Sequence, residues 1–395
     1  MSHADGRALV PVLGFAGLIS AADNWIVAPI LPSIANGLHV SIAQAAWTLT
    51  AYLIPYGIMQ PVHGYLSQRW GKAWLLRRLL AGLALGTVGC GVARQLMWLC
   101  VCRFVTGFFA AGLVAVSLAL IGDRVEPRWQ QSCVGRFMGI VFLGQGLSVG
   151  CGGVLIQFVG WRVIFVLFSI AALAAIVLLR RLPEDPTARA QSGGFVSNVR
   201  LAFGAPLGRR VYLLAFLAGA SLLGIYSFIG SFLQRQAGLG PAQAGLVVMF
   251  FGLACLAGGA CAGRISAAWG AQRTVLTGAV LGACSALLLA CRADWRAGLL
   301  ATLALGCGYI LIQSTLATLA FDCGSTGLSS ALVGLGLFGG AGLSTALGGA
   351  LLACATYHTL WLAYAGANTA FVVLITTLRI GRSACPERHR WPGGY

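Results

Sequence analysis

The chain has 395 residues, of which 58% are apolar and only 9% charged, at a mean hydropathy of +0.86. A water-soluble domain carries roughly 25% charged residues, so this composition excludes a solvated surface and makes lipid the solvent. The formal charge of +17 would indicate nucleic acid in a soluble protein, but here the basic residues are sorted by topology and no nucleic-acid partner is expected.

Crossing the hydrocarbon core takes about 20 apolar residues. Breaking the chain at its charged clusters predicts twelve spans, at 10–33, 43–63, 79–96, 98–121, 137–157, 163–179, 211–233, 244–262, 274–291, 298–320, 328–354 and 359–378. The runs are continuous rather than alternating, so helices are expected and not a β-barrel.

Span one holds Asp23, the only carboxylate well inside a span, followed by Asn24, Trp25 and the prolines Pro29 and Pro32. It is longer than a signal-peptide core and lacks a small-residue cleavage site, so it reads as an uncleaved targeting signal. Span two carries Tyr56 and ends at Gly64, where a basic loop with Gln68, Arg69, Gly71 and Lys72 begins. The two glycines are expected to reverse the chain at the membrane surface, and the cations to anchor it to anionic lipid. His63 beside this loop reads as an interfacial residue. Span four buries Arg103 and has Gly107 one turn later; span five holds Gln145 among Gly146, Gly150, Gly152 and Gly153 at helix-packing spacing. Pro183-Glu184-Asp185-Pro186 and Ser192-Gly193-Gly194 read as a linker. The basic stretch after them, with Phe195, Val199 and Phe203, is either an amphipathic helix on the anionic leaflet or a solvated loop. In the second half Tyr226, Gln313 and Asn368 are the polar span residues that, with Asn24, Trp25, Tyr56 and Gln145, are candidates to line a cavity, since a buried amide needs a partner or water.

Placing the N-terminus in the cytoplasm puts 20 basic residues on cytoplasmic segments and five on the opposite face, with Arg103 inside a span. That bias orients both termini to the cytoplasm of a multi-pass protein in the cell (inner) membrane. The 13 Cys are scattered singly, without zinc-ligand spacing, and read as small apolar fillers. No catalytic, cofactor-binding or metal-ligating constellation occurs, so the chain is not expected to be an enzyme.

Two repeats organise the sequence. Gly64-Tyr65-Leu66-Ser67-Gln68-Arg69-Trp70-Gly71 returns as Gly263-Arg264-Ile265-Ser266-Ala267-Ala268-Trp269-Gly270, and Ala43-Gln44-Ala45 returns in the same register as Ala242-Gln243-Ala244. Gly146-Leu147-Ser148 with Gly152-Gly153 and Leu155 returns as Gly342-Leu343-Ser344 with Gly348-Gly349 and Leu351. The pairs join span two to eight and five to eleven. Two parallel six-helix pseudo-repeats around a central cavity follow, with a first bundle at 1–182, a linker at 183–210 and a second bundle with a basic tail at 211–395.

With these residues in place, nearly the whole chain resembles the major facilitator superfamily. The first half is similar to its drug:proton antiporter (multidrug efflux) branch in Asp23-Asn24-Trp25-Ile26-Val27-Ala28-Pro29-Ile30-Leu31-Pro32, in Arg103 with Gly107, in the glycine-rich helix five, and in Gly160-Trp161-Arg162 leading to Phe165. The resemblance implies proton coupling through the acidic residue of helix one and the Arg of helix four. Counting at about 1.5 Å per residue sets Asp23 roughly 15 Å and Arg103 roughly 9 Å below the outer surface, within reach of one another directly or through water. The alternative is a static buried pair that locks two helices. The family places an acidic latch residue where this chain has Gln68, and a Gly-Pro where it has Ser148-Val149. Gln68 is able to cap the start of helix eleven near Ser329 but forms no ion pair, so the latch is either weaker or moved elsewhere. The expected function is proton-coupled efflux of a small amphipathic compound by alternating access, by a monomer whose partners are substrate, protons and lipid. A metabolite permease of the same fold, and a non-transporting receptor or assembly protein, are the alternatives.

Overall fold

Glycine and proline decide where this helical chain bends. The computed structural model describes residues 3–156, 158–180, 194–323 and 326–378, with only the backbone of 3–8, 42, 43 and 153. Outside the described residues lie the Pro183–Pro186 and Ser192-Gly193 parts of the expected linker, and the basic tail from Arg379.

Span one is two helices, α1 (His3–Trp25) and α2 (Val27–Leu38), bent by 48°. Pro29 has no N–H to offer the carbonyl of Trp25 four residues back, and its ring crowds that turn, so the helix opens there. Span two starts with the short α3 (Ile42–Ala45) and continues as α4 (Trp47–Trp70). Spans three to six are α5 (Lys72–Gly91), α6 (Leu96–Arg124), α7 (Pro127–Leu155) and α8 (Trp161–Leu179). The basic stretch after the linker is a helix, α9 (Phe195–Gly204), that lays Phe195, Val199 and Ala202 on the bundle and leaves Val196 and Leu201 exposed.

Span seven is α10 (Pro206–Ala218) and α11 (Gly224–Arg235) joined by a π-helical turn at Gly219–Leu223. Helix α12 (Pro241–Cys291) is 51 residues long, more than twice one crossing, and Gly270 breaks it at φ 77° into spans eight and nine. Spans ten to twelve are α13 (Trp295–Ala320), α14 (Thr326–Cys354) and α15 (Tyr357–Thr377). Among the described residues, nine helices are long and apolar enough to cross a bilayer, or ten with the bent pair. Dividing α12 at Gly270 and adding α4 completes the twelve. Polar Thr48, Tyr52, Gln60, His63 and Ser67 of α4 lower its hydropathy, yet all are buried against neighbouring helices.

The repeats have physical explanations. Gly71 and Gly270 both take positive φ, 81° and 77°, which only glycine adopts without strain. Gln44 accepts from the Ser41 N–H (2.9 Å) while Ser41 Oγ accepts from the Gln44 N–H (3.1 Å), and Gln243 accepts from the Gly240 N–H at 3.0 Å. The repeated glutamine thus caps the start of spans two and eight. The result is an all-α membrane protein of two parallel six-helix halves. Leu85, Met97, Phe104, Val177, Leu300 and Val373 cover its outside as exposed apolar residues, the surface lipid requires. Gly71 and Gly270 mark one end of the bundle, the turn end; Pro29, Pro32 and Pro241 mark the opposite, mouth end.

Candidate functional site

Asp23 sits on the last turn of α1, just before the bend, and is 1% exposed; Arg103 of α6 is wholly buried. Arg103 Nη1 donates to Asp23 Oδ2 at 3.1 Å and to the Asp23 backbone carbonyl at 3.2 Å. That carbonyl lies at the bend, so one guanidinium ties both the charge and the backbone of span one to α6. The Arg103 guanidinium also lies 4.2 Å from the centre of the Tyr52 ring and 5.9 Å from that of Phe165, a cation–π cradle. Gly107 makes this possible, because a Cβ there would collide with the Tyr52 backbone of α4. Among the described residues, Asp23 Oδ1, Arg103 Nε and Arg103 Nη2 make no hydrogen bond. The pair is therefore direct and incompletely satisfied.

Beside it, between the halves, is a closed chamber of about 30 Å³, room for little more than one water molecule. Asn24, Trp25, Tyr56 and Gln145 line it from the first half and Gln313 from the second, together with Gln60, Ser330 and Phe338. Towards the mouth end a vestibule of about 610 Å³ opens between span one and span seven, lined by Trp25, Pro29, Pro32, Tyr226, Ser227 and Gln234 among others. Trp25 lines both spaces and meets Tyr226 edge to face at 5.7 Å. Tyr226 thus belongs to the vestibule and, with Trp25, to the partition. Asn368 does not reach either space: its Nδ2 donates to the Tyr364 carbonyl at 2.9 Å and its Oδ1 faces Gly282 of α12. Span twelve lies at the periphery of the second half, and Asn368 is a packing residue there. His63 is likewise interior rather than interfacial, packed edge to face on Phe108 at 5.3 Å and against Gly112.

The turn end is closed. Gln68 Nε2 donates to Thr326 Oγ1 at 3.3 Å, on the first residue of α14 and one turn before Ser329. Thr326 in turn donates to Asp123 Oδ1 at 2.6 Å, and Asp123 Oδ2 pairs with Lys72 Nζ at 2.6 Å. The carboxylate at this junction is Asp123, at the end of α6, with Gln68 on the other side of Thr326. A second tie joins the halves where Gln131 Nε2 donates to Ser314 Oγ and Thr315 Oγ1, both at 3.1 Å. Arg69 stacks over Tyr65 at 5.2 Å. Gly71 makes the reversal, but Gly64 does not: it lies inside α4, where a Cβ would strike the Gly327 carbonyl and stand 2.8 Å from the Ala331 Cβ of α14. Its smallness lets two halves touch backbone to backbone. Neither Asp123 nor Gln131 stood out in the sequence; Asp123 was visible as one of only nine acidic residues.

The helix-five glycines form a seam. Gly135 faces Gly259, Gly139 the Cys255 carbonyl, Gly146 the Met249 carbonyl and Gly252, and Gly150 the Met249 side chain, all on α12. Gly152 faces Ile26 and Pro29 at the bend of span one.

Known proteins of this kind are recognisable by comparison. The family profile described as Major Facilitator Superfamily matches residues 13–349. The uncharacterized MFS-type transporter YceJ of Bacillus subtilis (strain 168) is 27% identical over 272 residues, 67% of this chain and 68% of that protein. The chloramphenicol resistance protein of Streptomyces lividans is 27% identical over 277 residues, 68% of this chain and 69% of that protein. Three other curated relatives are matched over only 30–36% of their own length. The human organic anion transporter MFSD10 (TETRAN) has the same fold, with a TM-score of 0.78 at 16% identity over 94% of this chain and 99% of that one.

Proposed function

The chain belongs to the major facilitator superfamily, and on that footing we propose that it exports a small amphipathic compound of the drug class by alternating access, in exchange for protons. That it is a multi-pass membrane transporter follows from the family. The observation that carries the finer reading is the buried Asp23–Arg103 pair at the bend of span one, one residue from the Asn24 and Trp25 walls of the chamber between the halves. A carboxylate deep in a membrane stays ionised only beside a counter-charge or water. Arg103 supplies the counter-charge. Straightening or deepening the bend moves the Asp23 carbonyl and carboxylate away from Nη1, and the carboxylate then takes a proton arriving through the mouth. With the turn end open instead, the proton leaves on that side and Arg103 recaptures the carboxylate.

The turn end carries Arg69, Lys72, Arg77 and Arg78, and the positive-inside rule supports an orientation with it and both termini on the cytoplasmic side of the inner membrane. The halves are the bundles 1–182 and 211–395, joined by 183–210. The chloramphenicol resistance relative supports an exported compound of that size and polarity. The latch from Lys72 to Gln68 through Asp123 and Thr326 supports a gate that opens, rather than a receptor with no transport cycle.

The test is uptake of chloramphenicol into inside-out-oriented proteoliposomes under an imposed pH gradient, wild type beside Asp23→Asn. Expected is gradient-driven accumulation with release of protons from the lumen for the wild type, and at least a tenfold loss of that accumulation in the variant. Equal gradient-driven flux in the two proteins removes Asp23 from coupling.

A further inference from the structure

The two spaces between the halves are lined without charge. Neither the chamber nor the vestibule is lined by an Asp, Glu, Lys, Arg or His among the described residues, and the one ion pair nearby is sealed behind their walls with both partners at most 1% exposed. The polar groups that do face the path are neutral, and several lack partners. Gln60 and Gln145 are each 3% exposed and Tyr226 is 5% exposed. Yet Gln60 Nε2 makes no hydrogen bond among the described residues, and Gln145 Nε2 and Tyr226 Oη have only each other at hand, outside good bonding geometry.

A buried amide donor without an acceptor carries its full desolvation cost until something supplies one. Water does so only while the site is wet; the closed chamber holds about 30 Å³. We infer that the transported compound is uncharged, with an aromatic or alicyclic body and at least one carbonyl or ether oxygen that accepts from Gln145 and Gln60. A charged compound would be stripped of water between walls that return no counter-charge. The aromatic rings Trp25, Tyr56 and Phe338 could attract a cation by their faces. But Tyr56 already meets Phe338 edge to face at 5.5 Å, and Trp25 meets Tyr226 in the same way at 5.7 Å. The orphaned N–H groups beside them present positive dipole ends, which a cation avoids. The vestibule, at about 610 Å³, has the size of a drug-like ligand site, and swinging Trp25 off Tyr226 would join it to the chamber.

The inference deepens the export reading by naming a substrate class, and it has an energetic corollary. If the cargo is neutral and a proton moves the other way, each cycle moves net charge, so membrane potential as well as pH gradient drives it.

The test uses one aromatic scaffold in four forms, by equilibrium dialysis against full-length protein in lipid nanodiscs with empty discs as the blank. The probes are 1-acetonaphthone (neutral acceptor), 1-ethylnaphthalene (no acceptor), 1-naphthoate (anion) and (1-naphthylmethyl)trimethylammonium (cation). Saturable binding of the ketone, at least tenfold tighter than each of the other three, supports the inference. Gln145→Leu should then weaken the ketone at least tenfold, and Gln145→Glu, nearly isosteric and expected to fold, should raise affinity for the ammonium probe at least tenfold. A charged probe binding the wild type as tightly as the ketone overturns the inference while leaving the export reading intact, as does saturable binding of none of the four. Ketone binding that Gln145→Glu leaves without any gain for the cation also overturns it. Selective ketone binding without gradient-driven flux in proteoliposomes sinks the export reading and leaves the inference standing.

Discussion

The two halves meet along two seams related by the pseudo-symmetry, and they are built differently. Between α7 and α12 glycine faces glycine or a backbone carbonyl from Gly135–Gly259 near the turn end to Gly146–Gly252, and nearer the mouth Gly150 meets the Met249 side chain. Between α4 and α14 the same intimacy exists only at Gly64–Gly327. One step further out Gln60 meets Gly334, then Tyr56 meets Phe338 at 5.5 Å, and beyond that Gly339, Gly342 and Gly349 of α14 have open space where a Cβ would sit. Repeated sequence has therefore produced one seam zipped from end to end and one pinned at a single end by the latch. In the proposed cycle the zipped seam is the expected axis, and the pinned seam the one that opens.

This difference is open to being broken, most forcefully at the zipped seam. Gly259→Leu drives a side chain into the Gly135 carbonyl, and overpacking without room to relax costs about 1–3 kcal/mol. The matched Gly342→Leu, with nothing within 4 Å of its Cβ, should change stability by less than about 0.5 kcal/mol. Thermal melting in detergent compares them; equal losses would show that the seams are alike.

Next in size, Gly71→Ala forces a residue with a side chain into φ 81°, costing about 1–2 kcal/mol. Gly57→Ala, helical and unobstructed on the open stretch of α4, should gain about 0.5–1 kcal/mol from helix propensity. The same melting assay reads both, and a loss at Gly57 would mean that the α4–α14 seam closes over it.

The smallest effect belongs to the latch. Asp123→Asn removes the ion pair with Lys72 but keeps an acceptor for Thr326; with Asp123 38% exposed, the pair is worth under about 1 kcal/mol. That still shifts an open–closed ratio up to about fivefold. Spin labels at Trp70 and Trp269, exposed and one on each half, in a cysteine-free background should show more of the long-distance population at the turn end. An unchanged distance distribution would place the latch elsewhere.

What was legible in the sequence is what a membrane imposes through long-range composition. Twelve apolar runs, the basic bias and the two glycine turns at Gly71 and Gly270 are written locally, because each obeys a rule about a single helix or turn. The Asp23–Arg103 contact was legible too, since two isolated charges at similar depth in lipid have few other partners. Contacts between halves were not. Gly64 read as a turn because its neighbours are turn-like, whereas its packing is set by Gly327, more than half the chain away. Asp123 was hidden among surface charges until the fold brought Thr326 to it. Asn368 read as a cavity residue from its polarity alone, yet its Nδ2 turns to a carbonyl one turn back and its Oδ1 to Gly282.

The bend in span one works as a crank. Beyond it the 12 residues of α2 form a stiff arm about 18 Å long, so a rotation of about 10° at the elbow would carry its far end, packed on Trp161, about 3 Å. Pro29 and Pro32 ride on that arm and form part of the vestibule wall. A sub-ångström change in how Arg103 grips the elbow is thereby geared up into a displacement as wide as a water molecule at the rim.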